Sequence, residues 1–457
     1  MKPEGGRFSR GFKAALLETM VKTPAAEPVA RVAGAGGGRF DTSFETLPAY
    51  QQFRTQRAVA DALQLNFPFY REHEAMAGAR SVIAGQAVVN FASYDYLGLN
   101  GHPAITEAVI AATRQWGTSV SASRITAGER AFHRQLERAL ADVYEAEDAL
   151  VFVSGHATAI STVAALLGPK DLILHDGLIH NCVVVGAQLS GATRRPFPHN
   201  DLDALDAMLA STRERFERVM IITEGLFSMD GDGPDLARLV AIKQRWDCWL
   251  MVDEAHSIGV LGATGRGIAE QDGVDPRLVD IWLGTLSKTL VSCGGYVAGS
   301  RKLIDYLKLA APGMVYSVGM PAPAAMAALT AIEIMRREPE RVARLQANGQ
   351  LFLLLARAAG LDVGTSAGHA VTPVIIGDSL RTVLLAERLL KRGINAFPIV
   401  PPGVPEKSAR LRFFISSEHT VAEIEAAVAA TAEEVAGVER EGVSLGTLAK
   451  LMMKRGA

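Results

Sequence analysis

The chain has 457 residues, 49% of them hydrophobic and 21% charged, with a formal charge of −2. That length and apolar content can bury a full core in more than one lobe, and the near-zero charge gives no electrostatic case for nucleic acid or an anionic membrane. Three scattered cysteines, Cys182, Cys248 and Cys293, lack metal-ligand spacing and suit a reduced, cytoplasmic setting, and no apolar run approaches the roughly 18–20 residues of a membrane span.

Residues 1–45 read as a flexible N-terminal arm, with a short amphipathic pattern over 12–20, a glycine-rich break at 33–38 and no secretory signal. Such an arm is either a disordered tail or a docking element. An N-terminal segment follows over 46–100. Its helical pattern over 42–74 sets Leu63, Phe67 and Tyr70 on one side, and 91–99 reads as a strand entering a tight turn. A helix is expected after Pro103, with Ile105, Val109, Ile110 and Trp116 in register. A small-residue loop over 117–128 contains Arg124, and 132–144 returns to helix.

From there strands and helices alternate. Short apolar strands over 149–153, 172–174, 219–223, 249–252 and 281–283 end at Ser154-Gly155-His156, His175-Asp176, Glu224-Gly225, Asp253-Glu254-Ala255-His256 and Thr285-Leu286-Ser287-Lys288. Helical patterns lie over 157–167, 201–210 and 234–245. The pattern predicts an α/β fold with a mostly parallel sheet covered on both faces, in which ligands sit beyond the carboxyl ends of the strands. This large domain is placed at 101–325. Helices over 324–335 and 338–355 lead to strands at 371–376, 394–400 and 409–415 and helices at 380–392 and 420–436, a smaller α+β C-terminal domain over 326–440 with a tail over 441–457.

Lys288 follows a buried strand among small residues and hydroxyls. On that stretch alone it reads as a solvated loop lysine or as a Schiff-base lysine, with Thr285 and Ser287 as phosphate-side hydroxyls. Asp253 reads as an ordinary strand-end cap or as the partner of a protonated ring nitrogen, with His256 able to reach a phenolic oxygen. Ser154-Gly155-His156, at a strand-to-helix junction, suits a plain N-cap or a phosphate site. His180 is structural or stacks on a ring, and Ser228 belongs to a polar turn or bonds that ring. Together, in chain order, these groups fit one cofactor, pyridoxal 5′-phosphate. No metal site is expected.

The chain resembles the α-oxoamine synthases, pyridoxal-phosphate enzymes of fold type I, over about 91–436. The marks are Tyr96-Leu97-Gly98-Leu99, Ser123-Arg124 with His133 to Glu137, the stretch 224–232, Asp253-Glu254-Ala255-His256-Ser257, Thr285-Leu286-Ser287-Lys288 and Arg410-Leu411-Arg412. The resemblance implies that Lys288 is the Schiff-base lysine, Asp253 the pyridinium partner and His180 the histidine stacked on the ring. It places His256 and Ser228 near the phenolic oxygen, Thr285 on the phosphate, and Gly155-His156 beside the cofactor. Ser317 matches a residue that reaches the phosphate from the other subunit, which implies a homodimer. Arg412 matches the clamp on the amino-acid carboxylate. Tyr94 stands where the family usually has asparagine, Val400 precedes Pro401-Pro402 where some members have arginine, and Ile179-His180-Asn181-Cys182 replaces the usual Asn-His-Ala-Ser. The implied reaction is a decarboxylative Claisen condensation of a small amino acid with an acyl-CoA or acyl-carrier-protein thioester, giving an α-amino ketone. An aminotransferase, a non-decarboxylating ketobutyrate-ligase-like member and a silent partner subunit are the alternatives.

Overall fold

The computed structural model describes residues 43–442 apart from 63–65, 67, 77 and 406. Most of the expected arm, the tail, Leu63 and Phe67 therefore lie outside the described residues. Among the described residues of the helix expected over 42–74, the α-helix spans Pro48–Ala62. Tyr70 is not helical: its backbone is left-handed, with φ 58, and its ring is 96% exposed.

A hairpin follows, β1 (Arg80–Ile83) and β2 (Gln86–Asn90), joined through Ala84 and Gly85 with φ 50 and 73. Glycine takes such a conformation at no steric cost, and the twist of the turn suits an antiparallel pair. The strand expected over 91–99 thus ends before it begins. Beyond Asn90 the chain turns, and Asp95 caps the turn by accepting the Leu99 and Asn100 N–H groups at 2.7 and 3.0 Å.

The main sheet comprises β3 (Asp148–Phe152), β4 (Leu172–Asp176), β5 (Thr193–Phe197), β6 (Val219–Glu224), β7 (Trp249–Asp253), β8 (Ile281–Thr285) and β9 (Gly295–Gly299), in the order β3-β9-β8-β7-β6-β4-β5. All neighbours are parallel except the two that involve β9. Only β9 runs backwards, so the other six strands, β3 included, deliver their carboxyl ends to one edge. Side chains alternate between the faces: Leu150, Ile173, Met251 and Leu283 enter one core, and Val151, Leu174, Val252 and Trp282 the other. Both faces are dry, which is why these strands read as unbroken apolar runs.

Two strands of the main sheet escaped the sequence pattern for physical reasons. Strand β5, Thr-Arg-Arg-Pro-Phe, is a largely exposed sheet edge with no apolar run. Strand β9, Gly-Tyr-Val-Ala-Gly, is framed by glycines that mimic turn signals. The helices Asn181–Ser190 and Arg301–Ala310 were also unread.

Helices Ala322–Arg337 and Glu340–Ala358 lead to the C-terminal unit. There β10 (Val371–Ile375), β12 (Phe397–Ile399) and β13 (Arg410–Phe414) form an antiparallel sheet with β13 in the centre, while β11 (Ile394–Asn395) leaves to pair in parallel with β2. The single strand expected over 394–400 is thus divided between two sheets.

The reversal at β9 needs a bare backbone. A Cβ on Gly295 would stand 2.6 Å from the Gly155 Cα and 2.5 Å from Thr158 Oγ1. Gly295→Ala is therefore expected to destabilise the protein by about 1–3 kcal/mol through overpacking; an unchanged midpoint of chemical denaturation would refute this. Glu254, wholly buried, accepts the Ile268 N–H at 3.1 Å. Burial pushes its carboxyl from an ordinary 4.5 up to about 8. Between those values the fold holds a proton that the unfolded chain has released, so stability falls as pH rises through that window. Glu254→Gln is expected to flatten the dependence of the thermal midpoint on pH across it, and parallel curves for the two proteins would show that Glu254 does not titrate there.

Candidate active site

At the carboxyl edge of the sheet lies a cleft of about 410 Å³. Tyr94, Gly155, His156, His180, Ser228, Asp253, His256, Thr285, Lys288 and Arg412 all line it. Every predicted site residue but one therefore converges there. The exception is Ser317, half-buried beside the Ser123–Val318 bridge, which is not part of this chain's cleft wall.

The geometry follows from strand order. Asp253 ends β7, which lies beside β8, and Asp253 is in register with Leu283. Lys288 stands three residues past the end of β8. Burial lowers the pKa of the Lys288 amine, against the charges of Asp253 and Glu224. It raises that of the Asp253 carboxyl, against the charge of Lys288. The Asp253 carboxylate accepts the Ala255 N–H at 2.9 Å. A desolvated amine tends toward its neutral, nucleophilic form, and a buried carboxylate calls for a cation.

His256, one turn on, shares a 2.6 Å hydrogen bond through Nδ1 with the buried Tyr96 hydroxyl and stacks on Phe414. Burial and then the charge of Lys288 hold its pKa well below the ordinary value. His180 lies in the turn after β4. Its backbone N–H donates to Glu224 Oε1 at 2.8 Å, and its ring meets that of His156 edge-on with centroids 6.5 Å apart. Glu224 is itself pushed up to about 8, by burial and then by the negative charge of Asp253.

On the β3–β8 side, Phe152 and Thr285 both lie opposite Gly295. That shared register brings the N-terminus of helix Gly155–Leu166 against Thr285: a Cβ on Gly155 would lie 2.6 Å from Thr285 Oγ1. Ser154 caps the helix by accepting the Ala157 N–H at 3.3 Å. The first-turn N–H groups of Gly155 and His156 have no intrahelical acceptor and favour an anion. Thr285 Oγ1 donates to the Gly294 carbonyl at 3.0 Å and lies 2.8 Å from Ser287 Oγ.

From the C-terminal unit, β13 carries Arg412 into the cleft. Its guanidinium packs 4.3 Å over the Phe414 ring, and Nη1 donates to the Ser228 carbonyl at 3.3 Å. Its buried Nε has no hydrogen-bond partner among the described residues. A guanidinium lining a cleft suits an anionic ligand. Tyr94, 40% exposed, places its ring 5.8 Å from Lys288 Nζ.

Sequence reasoning assigned no role to Cys182, Tyr96, Glu224, Met229 or Phe414. Tyr96 lay within a quoted motif, and Glu224 was noted only as a strand end. The contacts of Phe414 and Met229 depend on tertiary placement and leave no sequence signal.

The cleft therefore pairs a nucleophilic amine with a cation-seeking carboxylate, an anion-binding helix end with hydroxyls, and a free arginine donor. Those features fit a flat cationic heterocycle bearing a phosphate, as pyridoxal phosphate does. Residues 86–430 match the family model of class I and II aminotransferases. A relative from Gloeobacter violaceus is 43% identical over 79% of this chain and 92% of its own length. The 8-amino-7-oxononanoate synthase of Symbiobacterium thermophilum is 40% identical over 78% of this chain and 90% of its own. Among solved structures, Sphingomonas wittichii serine palmitoyltransferase superposes with a TM-score of 0.82 at 26% identity, over 86% of this chain and 99% of that one. By descent and by architecture, the chain belongs to the α-oxoamine synthases, pyridoxal-phosphate enzymes built on the fold of the class I and II aminotransferases.

Proposed function

We propose that this protein condenses a small amino acid with an acyl thioester, carried on coenzyme A or an acyl-carrier protein. A carbon–carbon bond forms between the α-carbon and the acyl carbon. The thioester C–S bond and the bond to the α-carboxylate break, releasing thiol and carbon dioxide and leaving an α-amino ketone. The observation that carries this reading is the convergence of Lys288, Asp253 and Arg412, from three separate elements, on one cleft.

Bound there, pyridoxal phosphate supplies an electron sink for the pair left on the α-carbon. Lys288 would hold the cofactor covalently and, once displaced by substrate, take the α-proton. Asp253 would hold the positive charge of the ring nitrogen. His256 and Ser228 would lie beside the phenolic oxygen, and the N–H groups of Gly155 and His156 with Thr285 would cradle the phosphate. Arg412 would clamp the amino-acid carboxylate with its guanidinium, and His180 would serve the departing carboxylate. Tyr94, over the amine and toward the mouth, would narrow the space for the amino-acid side chain.

A homodimer is part of this proposal. Tyr316 and Val318, 87% and 47% exposed, flank Ser317 in the chain, and Ile125, 51% exposed, lies two residues from Ser123, the bridge partner of Val318; exposed apolar side chains of this kind are what a second copy that also receives Ser317 would cover. Among the described residues no helix is long and apolar enough to cross a membrane. A cytoplasmic setting is supported by the three unpaired cysteines.

The test is to incubate the purified protein with glycine, alanine or serine and a set of acyl thioesters, and to measure thiol and carbon dioxide. Equal release of both is expected. Thiol without carbon dioxide would indicate the ligase-like alternative, and amino-group exchange with a keto acid would overturn the reading. Lys288→Ala should fold normally, lose the cofactor's lysine-dependent visible absorption and lose turnover by on the order of a thousandfold or more. An unchanged spectrum would mean that another lysine holds the cofactor. Arg412→Ala should raise the amino-acid KM roughly 10- to 100-fold, the worth of a charge-assisted hydrogen bond, with a smaller effect on the thioester KM. The opposite pattern would place Arg412 on the thioester.

A further inference from the structure

Cys182 lines the cleft but has no part in the chemistry above. It is the second residue of helix Asn181–Ser190, whose N-cap is His180. The His180 ring turns back over its own helix. Nδ1 accepts the Cys182 backbone N–H at 3.3 Å and lies 2.9 Å from Cys182 Sγ. A backbone N–H can only donate, so Nδ1 carries a lone pair and not a proton. The thiol remains protonated: burial raises its pKa, and the negative charges of Asp253 and Glu224 add to the effect. A protonated thiol facing a lone pair donates to it. The ring proton of neutral His180 is left on Nε2. The His180 backbone is held as well, through its N–H to Glu224 Oε1 at 2.8 Å.

We propose that Cys182 is a positioning residue for His180: its thiol and its backbone N–H together hold the imidazole in the Nε2–H tautomer, so that His180 offers the cleft a hydrogen-bond donor and not a base. The inference rests on the function proposed above only in taking His180 to meet the substrate. It divides the labour within that function. With its available nitrogen protonated, His180 cannot take the α-proton, which falls to Lys288. His180 instead donates from Nε2 to a substrate oxygen, and a ring turned by half a rotation would lose that donor.

The experiment is 15N NMR of the full-length, cofactor-loaded protein labelled at histidine, with the His180 signals assigned by their loss in His180→Gln. The expected spectrum shows a pyridine-type Nδ1 and a pyrrole-type Nε2 for His180. A protonated Nδ1 overturns the proposal whether or not the protein turns over any thioester, so failure here is distinct from failure of the functional reading. In kinetics, Cys182→Ala should lower kcat about 3- to 10-fold, the scale of one neutral hydrogen bond, with the amino-acid KM within about twofold. Cys182→Ser, which keeps a donor at this position, should restore most of the loss. If alanine costs nothing, or if serine is as poor as alanine, the thiol does not position His180.

Discussion

The site depends on desolvating an amine and a carboxylate in one cleft. Removing either charge from solvent costs several kcal/mol, and the cost is offset only if a partner is close and well oriented. Because β7 and β8 are adjacent and parallel, their ends open at the same edge, and Lys288 and Asp253 come within reach of each other's charge, although for both groups burial outweighs that charge. The sheet thus does more than support the residues. Its order decides which two strand ends become neighbours, and burial then moves both groups toward their neutral forms. Such a pair is poised for a ligand that replaces the missing solvent with a fixed cation and a covalent bond.

The second constraint is steric. One reversed strand, β9, separates β3 from β8, and both Phe152 and Thr285 lie opposite Gly295. The glycine pair at 155 and 295 lets a helix N-terminus come down onto the sheet edge beside the Thr285 hydroxyl. Anion-binding N–H groups and hydroxyls therefore line the same cleft as the amine. The third element arrives from elsewhere in the chain. The central strand of the C-terminal sheet carries Arg412 to the loop that holds Ser228 and Met229, so any change in how this sheet sits would alter the space between Arg412 and Lys288.

Much of this arrangement was legible in advance. Apolar strands buried on both faces announced a parallel sheet, and the polar residues closing each one announced the edge where they would meet. Elements failed to read where their physics departed from that pattern. Strand β5 is an exposed edge and carries arginines. Strand β9 needs glycines for close approach, and glycine in sequence looks like a turn. The segment after Asn90 is apolar enough for a strand, yet Asp95 folds it into a capped turn on the way to the cleft.

By itself, the sequence determined which chemical groups the protein carries to the sheet edge, because hydrophobic periodicity sets where each strand ends and the next residues are polar by position. It also determined the family, through motifs spread over most of the chain. What only the tertiary structure decided is which of those groups face one another. The register around β9 set helix Gly155–Leu166 against Thr285, the crossing of β13 left Arg412 with an unpartnered donor, and the cap of helix Asn181–Ser190 set a thiol and an N–H against one nitrogen of His180. These are distances between residues remote in sequence, or ring orientations within one turn. They follow from packing and desolvation in three dimensions, which a linear pattern of residue types does not encode.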